Sequence, residues 1–150
     1  MTLETWFWIA HAVALAGWLA LVFVPAAGGL GVRIARWAAA LLAVGYALLF
    51  FTAGPQGSEL ARNYSLEGVG AFFADPQLLL LGWVHYLAFD LFVGSWEAEE
   101  AHRLGISRRV LIACLILTFL LGPLGLLAFL AARSVPRRPA SEQGENSIAS

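Results

Sequence analysis

The stretch that decides the fold is residues 78–96, LLLLGWVHYLAFDLFVGSW. Asp90 is its only carboxylate, and most of the other side chains are apolar or aromatic. An apolar run of about 18 residues or more is long enough to cross a bilayer as a helix. Asp75-Pro76 just before it is typical of a helix start, with Asp as N-cap and Pro in the first turn. The stretch therefore predicts a membrane-spanning helix.

Three further apolar runs lie on either side of this stretch. They cover residues 6–24, 37–53 and 110–132, and the last is broken by Gly122-Pro123. Charged residues make up 13% of the chain and collect between the runs, whereas an average soluble domain has about 25%. No short alternating segments indicate a β-barrel. We therefore predict an all-α, four-helix transmembrane bundle over residues 1–133, with both termini on the same side.

The segments outside the four runs are polar or short. Between the second and third spans, apolar residues recur at helical spacing and predict a short interfacial helix; they are Leu66, Val69, Phe72 and Phe73. Residues 134–150 are rich in Pro, Arg, Ser and Glu and are predicted to be a disordered polar tail. Glu4 is the only charge before the first run, which favours a span over a cleaved signal peptide.

The sequence lacks the motifs that are typical of several functional classes. The sequence holds no Walker loop, dinucleotide fingerprint or CxxC pair, so we predict no cofactor. A net charge of -1 gives no indication of a nucleic-acid partner. Residues 97–102 contain three Glu and His102, but a ferritin-like metal site needs Glu-x-x-His from two helices. We interpret this cluster, which lies beside several arginines, as a solvated charged loop and predict no metal site.

The informative residues are the polar ones inside the spans, because ionisable groups in hydrocarbon are costly. At 100° per residue, Trp83, Tyr86 and Asp90 lie on one stripe of the third span, which continues to Gly94 and Glu97. Tyr86 and Asp90 are four residues apart and can touch. His85 stands about 140° away from Asp90 around the helix. A structural role remains open for each: Asp90 as a hydrogen-bond acceptor, and His85 and His11 as packing residues.

The sequence around Asp90 resembles one known family. Residues 83–94, WVHYLAFDLFVG, are similar to the abscisic-acid-deficient membrane protein family, whose plant members are needed to make neoxanthin. The likeness covers nearly everything from residue 6 to 129 and includes Gly17-Trp18-Leu19 with Pro25, Tyr46, Leu66-Glu67-Gly68-Val69 with Phe72-Phe73, and Gly122-Pro123-Leu124-Gly125. The chain departs from the pattern at His11 (expected Asn), Ala16 (expected Pro) and Ser95 (often Arg in bacterial relatives).

The resemblance implies a carotenoid or related isoprenoid as ligand. Converting violaxanthin to neoxanthin opens an epoxide without net redox, and it needs an acid at oxygen and a base at carbon. Asp90 and His85 are the implied catalytic residues, and the implied ligand-binding residues are Trp83, Tyr86, Phe89, Phe92, His11, Trp18 and Tyr46. A cofactor-independent carotenoid epoxide isomerase is one interpretation. A non-enzymatic carotenoid-binding or scaffolding subunit of a carotenoid-modifying complex is the alternative, and a small transporter is weaker.

Composition also bears on location. The nine basic residues are all Arg, and Ala, Leu and Gly are abundant, which is typical of a bacterium with a GC-rich genome. We therefore expect a multi-pass protein of a bacterial inner membrane, in contact with the lipid bilayer. A bundle of four helices is thin, so a homodimer is compatible with the sequence although no residue pattern indicates one.

Overall fold

The computed structural model describes residues 1–24, 29–53 and 65–134, and their regular structure is helical throughout. The six helices are α1 Leu3–Phe23, α2 Leu30–Thr52, α3 Leu66–Ala74, α4 Pro76–Arg103, α5 Arg108–Leu121 and α6 Pro123–Ser134. Three of them, α1, α2 and α4, are long and apolar enough to cross a membrane, and α6 is a shorter apolar helix. The all-α fold is confirmed. The predicted disordered tail lies, from residue 135 onward, outside the described residues.

Helix α4 is the centre of the bundle and contacts each of the other five helices. Leu91, halfway along it, is completely buried. Small residues allow the neighbouring helices to approach closely. A Cβ at Gly94 would lie 2.6 Å from the Trp18 ring of α1, and one at Gly17 would lie 2.6 Å from the Leu91 side chain. Glycines at such crossings are typical of helices that pack within membranes.

The start of α4 follows the sequence prediction. The Asp75 carboxylate accepts hydrogen bonds from the backbone N–H groups of Gln77 (2.8 Å) and Leu78 (3.1 Å), and Pro76 is the first helical residue. Asp75 therefore satisfies two of the N–H groups that a helix start leaves without partners. The short helix predicted before it is also present as α3. Its location at a membrane interface stays a prediction.

Two predicted spans are shorter than the helices that contain them. Helix α4 continues to Arg103, beyond the predicted end at residue 96, and α2 begins at Leu30, before the predicted start at residue 37. The added turns carry charges that pair with one another, because Arg36 donates to both Glu99 oxygens at 3.3 and 2.6 Å. A run of apolar residues ends at the first charged residues, whereas the helix that contains it can continue beyond the hydrocarbon core of a bilayer.

The prediction of a fourth span is wrong, because residues 108–134 form a helical hairpin. Helix α5 runs back along α4 from the loop after Arg103. Helix α6 then returns towards the same end. The Phe129 ring lies 5.5 Å from the Trp96 ring, and Arg133 Nη1 lies 3.8 Å from Glu100 Oε1. A straight continuation of α5 would instead carry these residues towards the start of α4.

The hairpin turn explains why the apolar run does not continue as one helix. Gly122 has φ of +43°, a conformation that favours glycine, and Pro123 cannot donate the hydrogen bond that a continuous helix needs. Gly125 packs directly against the backbone of Thr118, where any added Cβ would overlap. Non-helical backbone at membrane depth is tolerated where protein buries it, and Gly122 is buried.

The hairpin changes the predicted placement of the chain ends. Because α1, α2 and α4 alternate in direction and the hairpin returns, Ser134 lies at the end of the bundle opposite to Leu3. The prediction that both termini lie on one side is therefore wrong for the described helices. All arginines of the described residues lie at the Ser134 end, called here the arginine end: Arg33, Arg36, Arg103, Arg108, Arg109 and Arg133.

Candidate functional site

One face of α4 stays partly exposed in the half of the bundle that the hairpin does not reach. Trp83, Tyr86 and Asp90 lie on this face because residues three and four apart stack along a helix. Helix α1 flanks this face at Trp83, and the hairpin turn at Gly122 lies against Asp90. We call this face, between α1 and the hairpin turn, the Asp90 cleft. Its position follows from the hairpin, since a fourth span would cover Trp83 and Tyr86 with a further helix.

Asp90 lies at the inner end of the cleft. A Cβ at Gly122 would lie 3.2 Å from each carboxylate oxygen, so the carboxylate sits against the hairpin turn. Tyr86 lies one helical turn away on the same face, near enough to interact with the carboxylate. Oδ2 is buried and accepts no hydrogen bond from the described residues. Because buried polar atoms are nearly always paired, the unused acceptor marks a place where a ligand or a proton would bind.

His11 holds the indole of Trp83 at the outer part of the cleft. Trp83 Nε1 donates to His11 Nε2 at 3.1 Å, and His11 Nδ1 donates to the Phe7 carbonyl at 2.8 Å. Both bonds together require a neutral imidazole with its proton on Nδ1. The Trp83 ring also stacks on Tyr86, with centroids 5.5 Å apart. His11 therefore connects α1 to the aromatic stripe that leads to Asp90.

An apolar pocket lies next to Trp83, nearer the start of α4, and neither Tyr86 nor Asp90 lines it. Its volume is about 390 Å³, and it lies between the first turns of α1 and α4, with Phe7 and Trp83 among its walls. Pockets of 300 to 1,000 Å³ with mostly apolar walls are typical of small-molecule sites. Trp83 is 40% exposed, so it presents a large aromatic surface to whatever fills the pocket.

His85 lies on a different face of α4 from Asp90. Its ring stacks on Phe89 with centroids 4.4 Å apart, and lies 5.8 Å from the ring of Tyr46 on α2. A groove of about 400 Å³ between α2 and α4 begins there, lined by Phe89, Phe92 and four alanines together with Arg36. The structure thus separates the predicted site residues into the Asp90 cleft and this α2–α4 groove.

Trp18 belongs to neither place. It is 5% exposed and lies between Gly94 of α4 and Phe119 of the hairpin, with the Phe119 ring centroid 5.5 Å away. Its ring fills the space where α1, α4 and α5 meet below the cleft. Trp18 therefore packs the junction of these three helices, and its predicted contact with a ligand stays a prediction.

The interpretation of residues 97–102 as a solvated loop is wrong for Glu97. Its side chain is completely buried, and Thr118 Oγ1 donates to both carboxylate oxygens at 2.9 and 3.1 Å. Glu97 was missed because the predicted span ended at residue 96 and the hairpin that covers it was not foreseen. Two signals were present: Glu97 continues the Asp90 stripe, and Thr118 is an isolated hydroxyl in an apolar run.

Glu100 also differs from the loop interpretation. Its side chain is 12% exposed and pairs with Arg103 at 2.7 Å and Arg133 at 3.8 Å. The Arg133 pair connects the end of α4 to the end of α6, and Arg133 also lies 5.7 Å above the Trp96 ring. Glu97 and Glu100 therefore hold the hairpin against α4. No group of three or more metal-ligating side chains is arranged around a common point in the part of the chain that the structure describes.

Three helices that are long and apolar enough to cross a membrane indicate a multi-pass membrane protein. Residues 5–129 match the family model described as ABA4-like, ABA DEFICIENT 4-like. The match covers well over half of the chain, so this protein belongs to the ABA4-like family, which is linked to neoxanthin and carotenoid synthesis. The resemblance found in the sequence is confirmed. No curated protein and no solved structure matches the chain.

Proposed function

We propose that the protein binds a carotenoid or related isoprenoid in the Asp90 cleft and isomerises it by proton transfer. The observation that carries the proposal is the buried, unpartnered Oδ2 of Asp90 on the face of α4 that also carries Tyr86 and the exposed Trp83 ring. A polyene reaches such a site from the bilayer, with its chain against Trp83 and Phe7 and its end group at Asp90.

The chemistry uses two side chains that already interact. Asp90 takes the vinylic proton as the epoxide C–O bond breaks, and the Tyr86 hydroxyl gives its proton to the epoxide oxygen, which becomes the tertiary alcohol. Asp90 then returns the proton to the tyrosinate, so the cycle closes with no redox change. Tyr86 takes the place of His85 as the proton donor, because His85 lies on the other face of α4. General acid–base assistance contributes about 10²–10⁴-fold to such steps.

A non-enzymatic role is the second candidate. The α2–α4 groove favours it, because Phe89 and Phe92 are 60% and 53% exposed and the walls are otherwise mainly alanine. An exposed aromatic groove of this kind suits a polyene held without reaction, or the face of another carotenoid-modifying protein. His85 and Tyr46 would then contact the ligand. For either candidate function, we propose that the protein lies in a bacterial inner membrane and forms a homodimer.

Pigment binding tests the proposal at its first step. We expect protein purified from a host that makes epoxycarotenoids to carry a polyene, seen by visible absorption and identified by mass. Trp83→Ala, which removes the exposed wall of the cleft, should lower the bound pigment. Phe89→Ala, which removes an exposed ring of the groove on another face of α4, is the matched control. Loss of pigment with Phe89→Ala alone would favour the groove, and colourless protein that takes up no added carotenoid would reject both sites.

A further inference from the structure

A second pocket lies at the arginine end, more than two helical turns from the Asp90 cleft along α4. Its volume is about 320 Å³, and it is formed where the end of α1, the start of α2, the end of α4 and the start of α5 meet. Its walls include the apolar side chains of Leu21 and Leu111 and the charged side chains of Arg33, Arg36, Glu99 and Arg108. Apolar side chains and cationic groups thus line the same space.

The charge of these walls is positive. Three arginines, Arg33, Arg36 and Arg108, and one carboxylate, that of Glu99, are among the wall residues. Arg36 donates hydrogen bonds from Nη1 and Nη2 to Glu99, but its Nε is buried and donates to no acceptor among the described residues. A buried guanidinium N–H without an acceptor is costly, and an oxyanion in the pocket would supply one.

The backbone at the start of α2 lies very close to α1 beside the pocket. Gly31 packs against α1 so tightly that a Cβ would lie 2.7 Å from the Ala20 carbonyl oxygen. The first turn of α2 therefore enters the pocket without a side chain at that position, and its N-cap, Gly29, offers no side-chain hydrogen bond. The first N–H groups of a helix with no side-chain cap favour an anion nearby.

The location of the pocket indicates the source of the anion. It lies at the ends of three candidate spans, where the headgroups of a bilayer would be, and its apolar walls continue towards the hydrocarbon. Every arginine of the described residues is at this end, whereas Glu4, Glu67 and Asp75 are at the other. An excess of arginine is typical of the cytoplasmic side, whose leaflet is rich in anionic lipid.

We propose that this pocket binds the phosphate of an anionic phospholipid from the leaflet at the arginine end. The phosphate oxygens accept from Arg36 Nε, Arg33 and Arg108, and the first acyl carbons contact Leu21 and Leu111. The lipid thereby joins α1, α2, α4 and α5 at one end of the bundle. This site is independent of the Asp90 cleft and of any pigment.

Native mass spectrometry of the detergent-purified protein tests the site. The probes are phosphatidylglycerol and phosphatidylcholine with identical acyl chains, and inorganic phosphate alone. We expect wild-type protein to retain phosphatidylglycerol in preference to phosphatidylcholine. Arg33→Gln with Arg108→Gln should weaken phosphatidylglycerol binding roughly 10- to 30-fold, from the contribution of two basic residues near a lipid surface. Arg33→Lys with Arg108→Lys keeps the charge and should restore most of the binding.

The control removes the same charge at the same end. Arg103→Gln with Arg109→Gln changes two arginines that do not line the pocket, and phosphatidylglycerol binding should persist. An equal loss in this control would overturn the proposal in favour of diffuse surface charge. Inorganic phosphate that binds as well as the lipid would overturn the lipid assignment. Equal retention of the two lipids by wild-type protein would overturn the proposed site.

Discussion

The two carboxylate oxygens of Asp90 both lie 3.2 Å from the position that a Cβ would occupy at Gly122. The one carboxylate in the middle of α4 therefore rests on the turn of the α5–α6 hairpin. Gly122 meets two requirements at once, a positive φ and the absence of a Cβ that would press on the carboxylate. The hairpin turn and the candidate site are thus a single structural unit, which several measurements can test.

Gly122→Ala should destabilise the protein by about 1–3 kcal/mol through backbone strain, with a further loss from contact with Asp90. Gly105→Ala is the matched control, because Gly105 has a φ of +63° and open space around its missing Cβ. Chemical unfolding in detergent would measure both. In an Asp90→Ala background the two alanine variants should become alike. Equal destabilisation of both in the wild-type background would contradict the contact.

The hairpin predicts that residues 1 and 134 lie on opposite sides of the membrane. A Cys114→Ser background allows single cysteines to be placed at Thr2 and Ser134 and labelled by an impermeant maleimide in oriented vesicles. We expect Ser134→Cys to react on the same side as Arg109→Cys, and Thr2→Cys on the other. Labelling of Thr2→Cys and Ser134→Cys from one side would restore the four-span arrangement and remove the hairpin.

The sequence allowed prediction of the helical class and of the start of α4, because apolar length and the Asp75-Pro76 cap are local signals. It did not allow prediction of the hairpin. Residues 110–132 have the length and hydropathy of a span, and two short helices buried against protein have the same composition. The difference lies in the Gly125 contact with Thr118, which brings together residues that a straight helix would keep two turns apart.

Thr118→Val should destabilise the protein by about 1–3 kcal/mol, because it leaves the buried Glu97 carboxyl without its donor. Thr118→Ser keeps the hydroxyl and serves as the control, with a smaller loss. Combining Glu97→Gln with Thr118→Val gives the coupling between the two side chains from a double-mutant cycle. Additive effects on the free energy of unfolding would show that Thr118 and Glu97 do not depend on each other.

The candidate site was partly predictable for a similar reason. Helical spacing places Trp83, Tyr86 and Asp90 on one stripe and His85 on another, and the structure agrees. Partners on other helices were beyond that reasoning. The His11 bond to Trp83 joins residues 72 apart in sequence, and the Glu97 bond with Thr118 crosses between α4 and the hairpin.

His11→Ala should weaken pigment binding, because the Trp83 indole loses the acceptor that holds it at the cleft. His11→Asn retains an acceptor at this position and should preserve more of the binding. Pigment titration followed by absorption would measure both variants, with Trp8→Ala as a control, since Trp8 bonds to Glu4 at the surface instead. Equal binding by His11→Ala and wild type would argue against a role for the His11–Trp83 bond.

The most direct test of the account is pigment conversion by Asp90→Asn. This change keeps the shape of the side chain and removes its negative charge and its capacity to accept a proton. The assay is chromatography of carotenoids after incubation of the purified protein with an epoxycarotenoid, alongside Tyr86→Phe and His85→Gln. We predict that conversion by Asp90→Asn falls about 10²–10⁴-fold while pigment binding persists, that Tyr86→Phe is similarly impaired and that His85→Gln stays active. Near-normal conversion by Asp90→Asn would contradict proton transfer at Asp90 and leave pigment binding without reaction.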